Sequence, residues 1–192
     1  QQRGVQPVVN LIATDERIYQ YRHPLPTAKK MEKYALLVLG GRKDGLVCSI
    51  SRLVHVGPVP AEVNHIIRAT AQVNATLIAH TRPGRTLGEI FQQGQQAYAQ
   101  VGFANEWRFH HQGGAAGYEP REFLGLPDSA DMVTLGQAYA WNPSIAGAKM
   151  EDSILVGAQS NEIVTSIPGW PLIQVALPGQ PNEVPCAAAL EI

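Results

Sequence analysis

Adjacent histidines among glycines mark the first place in this sequence where chemistry could occur. His110 and His111 lie in the segment RFHHQGGAAGY, residues 108–118, which also contains three glycines. Glycine lets the backbone approach a ligand closely, and imidazole exchanges protons near neutral pH. The pattern allows an acid/base site, but it is also typical of a glycine-rich turn with one buried and one exposed histidine.

A third histidine, His23, lies far from this pair in the sequence YRHPLPT. The prolines that follow it stiffen the backbone and favour an extended conformation, so the imidazole would project from a fixed frame. That arrangement suits a catalytic histidine. A surface loop would have the same sequence character.

The other candidates are polar or aromatic side chains spread over the second half of the chain: Tyr118, Arg121, Glu122, Trp141, Asn142 and Glu151. Taken singly, a charged residue on an antiparallel strand usually faces solvent. The sequence contains no Walker-type phosphate loop, no HExxH and no GxSxG motif, so any chemistry must come from dispersed residues that the fold brings together.

Composition places these residues in one globular domain, residues 1–192. The chain has 15 Lys and Arg against 16 Asp and Glu, a formal net charge of -1, and 45% of its residues are hydrophobic. This balanced charge does not predict a basic surface that would bind nucleic acid. No apolar run approaches the roughly 20 residues that span a bilayer, so we expect no membrane partner and a cytoplasmic location. Cys48 and Cys186 are too few for a disulfide framework or a thiolate metal site.

The elements that must position the candidates are strands, then two helices, then strands. Apolar periodicity predicts a helix over Ala61–His80, and the capping-box spacing of Thr86 and Glu89 predicts a second helix that ends at Gly102. β-branched and apolar stretches predict strands at residues 8–13, 34–39, 45–56, 106–110, 132–135, 137–141, 149–156 and 162–166. This order favours an α+β fold with the helices on one face of a mostly antiparallel sheet.

The candidates in chain order resemble the C-terminal domain of the creatinase, prolidase and methionine aminopeptidase family, the pita-bread fold. RHPLPT is similar to the family's loop histidine, VLGGRKDGLVCSISR to its DxGxxxxGYxxDxTR pattern, and HHQGGAAG to its HGxGHxxG pattern. Asn142–Pro143 stands where the family has an EP dipeptide, and Glu151 matches its last acidic ligand. The likeness covers nearly the whole chain, and it implies a curved, mostly antiparallel sheet.

The metal-binding positions of the family are changed in this chain. The resemblance places its five ligands at Val38, Ser49, Gly114, Asn142 and Glu151, of which only Glu151 could bind a metal well. We therefore expect no dinuclear centre and no cofactor. These departures resemble creatinase, a member that works without metal.

The resemblance implies a metal-independent hydrolase or lyase acting on a small amidine-, amide- or amino-acid-like molecule, or a short peptide-like one. In this reading His23 is the general acid/base and His110 assists it, while Glu151 holds a cationic nitrogen of the substrate. Arg121, followed by Glu122, would clamp a substrate carboxylate; Asn142 would contact the substrate, and Tyr118 and Trp141 would wall the pocket. A catalytically silent binding module is the alternative, and a peptidase of the Xaa-Pro type by descent is the third reading.

The resemblance also implies a missing part. The family's first helix pair should precede Gln1, so we expect this chain to be the C-terminal part of a longer protein. The apolar strand face that the pair would cover should then lie against a lost segment or a second subunit, giving a homodimer; its expected residues are Val8, Leu11, Leu37 and Val47.

Overall fold

Three long strands at the start of the chain form the first sheet of the computed structural model, which describes residues 4–192. The strands are antiparallel neighbours, and the short last strand of the chain pairs in parallel with the third. Their bounds are β1 (Gln6–Thr14), β2 (Tyr34–Lys43), β3 (Leu46–His55) and β13 (Leu190–Glu191). Asp44 and Gly45 join β2 to β3 with positive φ angles of 51° and 88°, as a two-residue hairpin requires. The strands predicted at 8–13, 34–39 and 45–56 are confirmed.

The second half of the chain forms shorter strands. A five-stranded antiparallel sheet has the order β10-β9-β6-β4-β5, and two further pairs are β7 with β8 and β11 with β12. The bounds are β4 (Gly113–Ala116), β5 (Phe123–Leu124), β6 (Ala138–Trp141), β7 (Ser144–Ile145), β8 (Ala148–Lys149), β9 (Asp152–Leu155), β10 (Glu162–Ile163), β11 (Leu172–Val175) and β12 (Val184–Ala187). The single strand predicted over 149–156 is therefore divided between β8 and β9.

Two adjacent helices pack against these strands. Helix α2 (Ala61–His80) has the predicted bounds, and α3 (Leu87–Gln100) begins with the predicted capping box: Thr86 Oγ1 accepts from Glu89 N at 3.2 Å, and Glu89 Oε2 accepts from Thr86 N at 2.9 Å. A one-turn helix, α1 (Arg17–Gln20), follows β1 and was not expected. The two long helices lie close together because α3 has a glycine, Gly94, where a Cβ would stand 2.8 Å from Leu77. Within residues 4–192, no helix combines the length and apolar character needed to cross a membrane.

Two predicted strands are wrong. Residues 106–110 form a 3-10 turn, Glu106–Phe109, because the amides of Glu106 and Arg108 bond back to the carbonyls of Phe103 and Asn105. Residues 132–135 form no strand beyond an isolated bridge between Met132 and Thr86. Short apolar runs do not distinguish a strand from a turn that packs one side on the core.

One face of the first sheet exposes apolar side chains. Leu37 and Leu39 on β2 are 40% and 44% exposed, and Val8 on β1 is also exposed, in agreement with the sequence-based expectation for Val8 and Leu37. The same expectation is wrong for Leu11 and Val47, which are 9% and 3% exposed. Side chains alternate across a strand, and these two point to the opposite face, where they pack inside the chain.

Candidate functional site

A cavity of about 130 Å³ lies where the two larger sheets meet. The sheets are joined at this point by Ser51, whose amide donates to the carbonyl of Glu151 at 2.9 Å, and by Ser49, whose amide donates to Ser153 Oγ at 2.9 Å. The polar residues that line the cavity are His23, Ser49, His111, Arg121, Asn142, Lys149 and Glu151. A larger cavity of about 280 Å³ at the end of α2 contains no histidine or lysine, so the smaller one is the better candidate for chemistry.

The backbone on both sides of His23 is anchored. The carbonyl of Pro24 accepts from Ile12 N at 3.0 Å, and the Arg22 guanidinium donates to Ser144 Oγ at 3.1 Å and to the carboxylate of Glu106. These contacts fix a loop that would otherwise be free to move. His23 is therefore held at the cavity as the sequence predicts.

The environment of His23 favours its neutral form. Partial burial lowers the pKa of its imidazole, and the Lys149 ammonium lowers it further, while Glu151 acts in the opposite direction. Because the resulting pKa lies below the ordinary value, the ring is neutral near pH 7 and can accept a proton.

His110 lies behind the cavity rather than in its wall. Its Nε2–H donates to the backbone carbonyl of Asn142 at 2.9 Å, and its Nδ1 lies 3.3 Å from the side-chain nitrogen Nε2 of Gln112. Burial, with the Lys149 ammonium adding to it, lowers the pKa of His110 to about 2, so the ring is neutral. Its centroid is 5.5 Å from that of His23. His110 thus lies beside His23, but His111 rather than His110 is among the residues that line the cavity.

Arg121 and Glu151 bind each other. Arg121 Nη2 lies 2.7 Å from Glu151 Oε1, and Ser51 Oγ donates to Glu151 Oε2 at 3.0 Å. Both side chains of the pair are largely buried. Each charge therefore has a partner within the chain. The sequence-based roles, a clamp on a substrate carboxylate for Arg121 and a holder of a cationic nitrogen for Glu151, stay predictions.

Lys149 is a functional candidate that the motif comparison missed. The residue is 3% exposed and lines the cavity, and among residues 4–192 its ammonium forms no salt bridge and no hydrogen bond. Burial lowers the pKa of Lys149 to about 8, although Glu151 opposes this shift. The available signal was a lysine between two apolar residues, Ala148 and Met150, just before Glu151.

Besides His110, three predicted site residues lie outside the cavity. Tyr118 is mostly exposed, and the Glu122 carboxylate accepts from the amides of Tyr118 and Glu119 at 2.8 and 3.1 Å, so it holds a turn. Trp141 is buried in the core and its Nε1 donates to Thr81 Oγ1 at 2.8 Å. Asn142, the first residue after β6, does line the cavity.

The side chains at the family's ligand positions do not fit a dinuclear metal centre. Val38, Ser49, Asn142 and Glu151 all line the cavity, but only the last is a carboxylate, and it is bound to Arg121. At Gly114 a Cβ would lie 2.0 Å from the carbonyl oxygen of Phe123, so there is no room for a side chain ligand.

The rest of the cavity supports the same conclusion. Within the part of the chain that the structure describes, no three His, Cys, Asp or Glu residues group in a way that could hold a metal ion. Arg121 and Lys149 place two cationic side chains in the cavity walls. Because Arg121 neutralises the carboxylate of Glu151, the Lys149 ammonium is left as a charge that would repel a divalent cation.

Comparison with known proteins gives the family context of this site. The model of metallopeptidase family M24 matches residues 10–158. An uncharacterized peptidase of Staphylococcus saprophyticus is 25% identical over 142 residues, which are 71% of this chain and 40% of the relative. The chain thus spans about two fifths of the length of that curated relative.

Solved structures show the same fold at lower identity. The prolidase from Pyrococcus furiosus superposes with a TM-score of 0.78 at 18% identity, covering 86% of this chain and 52% of that one. The N-terminal domain of the FACT complex subunit SPT16 from chickpea gives a TM-score of 0.66 at 13% identity, covering 88% of this chain and 45% of that one. These similarities confirm the α+β pita-bread fold.

Proposed function

Since this chain belongs to metallopeptidase family M24, we propose that it is a hydrolase or lyase of that family that works without metal on a small amino-acid- or amidine-like substrate. The observation that carries the proposal is the pairing of Glu151 with Arg121 in the cavity that His23 lines. The Arg121 guanidinium binds the carboxylate at the one remaining acidic ligand position, and the loop histidine lines the same cavity.

His23 is the general acid/base in this proposal. In hydrolysis, the neutral imidazole takes a proton from a water as its oxygen forms a bond to the substrate carbonyl or amidine carbon. The ring then returns the proton to the leaving nitrogen as the carbon–nitrogen bond breaks. In a lyase the same ring would take a proton from a substrate carbon, the C–H electrons would form a carbon–carbon double bond, and the neighbouring carbon–nitrogen bond would break as the leaving nitrogen accepts that proton.

Other residues support this reaction by position and charge. Arg121 faces the cavity, and its buried Nε has no hydrogen-bond partner among residues 4–192, so it is placed to stabilise developing negative charge. His110 acts as a positioning residue, because its bond to the Asn142 backbone carbonyl fixes the segment after β6 that carries the Asn142 side chain.

Turnover in chelator tests the proposal. The protein, stripped with EDTA, is given a panel of acylated amino acids, amidines and dipeptides that includes Xaa-Pro dipeptides. We expect hydrolysis or elimination of at least one compound, with a rate unchanged by added Mn²⁺, Zn²⁺ or Fe²⁺. A rate that appears only after metal is added would favour the third reading, a peptidase of the Xaa-Pro type.

A catalytically silent binding module is the second candidate. Two observations favour it: Arg121 neutralises Glu151, the one carboxylate that lines the cavity among residues 4–192, and the fold also occurs in a protein named as a FACT complex subunit. Saturable ligand binding without turnover of any compound in the panel would select this function over the first.

We also propose that the chain acts in the cytoplasm as a homodimer formed through the apolar face of β1 and β2. Replacement of both Leu37 and Leu39 by serine should then lower the mass measured by light scattering to that of a monomer. Burial of apolar surface in an interface stabilises association by roughly 25 cal/mol per Å², and serine removes that apolar surface. Leu25→Ser is the matched control, because Leu25 is exposed outside these strands. A wild-type protein that is already monomeric at high concentration would contradict the proposal.

A further inference from the structure

We infer that the cavity binds a small monoanionic ligand whose carboxylate is held by the Lys149 ammonium and whose adjacent N–H donates to the side-chain oxygen of Asn142. The inference rests on the proposed assignment of this cavity as the ligand site. Lys149, rather than Arg121, is then the residue that binds the carboxylate of the ligand.

Charge balance supports an anionic ligand. Arg121 and Glu151 neutralise each other at 2.7 Å, and the histidines around the cavity have lowered pKa values and are neutral near pH 7. Lys149 remains as the single side-chain charge in the cavity wall without a counter-ion among residues 4–192. A buried charge without a partner is costly, so a ligand that brings one negative charge gains the interaction that the protein does not provide.

An unused acceptor gives the second feature of the ligand. Asn142 is 3% exposed, lines the cavity, and its Oδ1 has no hydrogen-bond partner among the described residues. Buried polar atoms in proteins are nearly always hydrogen-bonded, so this oxygen marks a position for a ligand N–H. The ordinary interpretation, an asparagine that only caps a strand, leaves the buried Oδ1 unexplained.

The size and walls of the cavity limit the rest of the ligand. About 130 Å³ holds a molecule of roughly amino-acid size, and the apolar wall includes Val9, Leu11 and Val38. A short acyl amino acid combines a carboxylate, an N–H group and a small apolar part. N-acetylglycine is therefore the probe of choice.

The test compares ligands that differ in one group. N-acetylglycine should bind the wild-type protein saturably in calorimetry or by NMR shifts. N-acetylglycinamide lacks the charge, and 4-oxopentanoate replaces the N–H by a methylene, so each should bind about ten- to a hundredfold more weakly. Equal binding of the amide or of inorganic phosphate would overturn the inference, and equal binding of 4-oxopentanoate would overturn the role of Asn142.

Substitutions then test whether Lys149 is the residue that binds the carboxylate. Lys149→Met should weaken N-acetylglycine binding by about ten- to a hundredfold, whereas Lys43→Met, which removes an exposed lysine outside the cavity, should leave it unchanged. The melting temperature of Lys149→Met should equal or exceed that of wild type, which separates lost binding from lost folding. Unchanged binding by Lys149→Met overturns the inference, and absence of turnover with intact binding counts only against the proposed catalytic function.

Discussion

Replacing His23 by glutamine is expected to lower the turnover rate in chelator by about a hundred- to ten-thousandfold, the usual contribution of general acid/base catalysis. The loop should stay in place, because its anchors are the Pro24 carbonyl and the Arg22 guanidinium rather than the His23 ring. Circular dichroism and the melting temperature should therefore match those of wild type. His65→Gln is the control, since His65 is an exposed histidine on α2 outside the cavity.

The pH profile gives this variant a second readout. Burial and the Lys149 ammonium lower the pKa of His23, so the active neutral ring should predominate from a pH below the ordinary value for histidine. The wild-type rate should rise with pH through that lowered pKa, and the residual rate of His23→Gln should lack this rise. A variant that keeps both the wild-type rate and its pH profile would exclude His23 as the acid/base.

Replacing Glu151 by glutamine is expected to destabilise the fold by about 3–5 kcal/mol, the usual cost of breaking a buried ion pair at one partner. The carboxylate lies 2.7 Å from the Arg121 guanidinium, and loss of its charge leaves Arg121 without its partner in a cavity that already holds a second cation, Lys149. Glutamine keeps the acceptor for Ser51 Oγ, so the effect reports the charge rather than the shape. Urea unfolding of the two proteins measures the difference.

A surface pair provides the matched control. Glu119 lies 3.4 Å from Arg42, with its side chain 64% exposed, so Glu119→Gln should cost less than about 1 kcal/mol. The double variant Arg121→Gln, Glu151→Gln should recover part of the loss, because it removes the unpaired guanidinium as well. If Glu151→Gln costs no more than Glu119→Gln, the buried pair does not exist in solution.

The long elements of this fold are predictable from the sequence. The apolar periodicity of residues 61–80 predicts helix α2, and the capping residues Thr86 and Glu89 predict the start of α3. Each of these signals lies within a single element, so it does not depend on the rest of the fold. The short strands of the second half are not predictable in this way. Residues 106–110 have strand-like composition, yet they form a turn because their amides bond to the preceding residues.

The motifs, which occur in a fixed order along the chain, predicted several residues of the cavity. They could not predict residues whose place in the cavity depends on the direction of the side chain. The motif order brought His23, Arg121, Asn142 and Glu151 to one cavity. It could not tell which of two adjacent histidines faces inward, since that depends on the turn before β4. For the same reason it missed Lys149, which lies on β8 and whose side chain lines the cavity.

Metal content tests directly whether the side-chain cations Arg121 and Lys149 replace a metal centre in this cavity. The protein is purified without chelator, equilibrated with Mn²⁺, Zn²⁺ or Fe²⁺, freed of loosely bound metal by gel filtration and analysed by mass spectrometry of the elements. The donor set around Glu151 predicts far less than one equivalent of each metal per chain. About two equivalents of tightly bound metal, the complement of a dinuclear centre, would contradict the account.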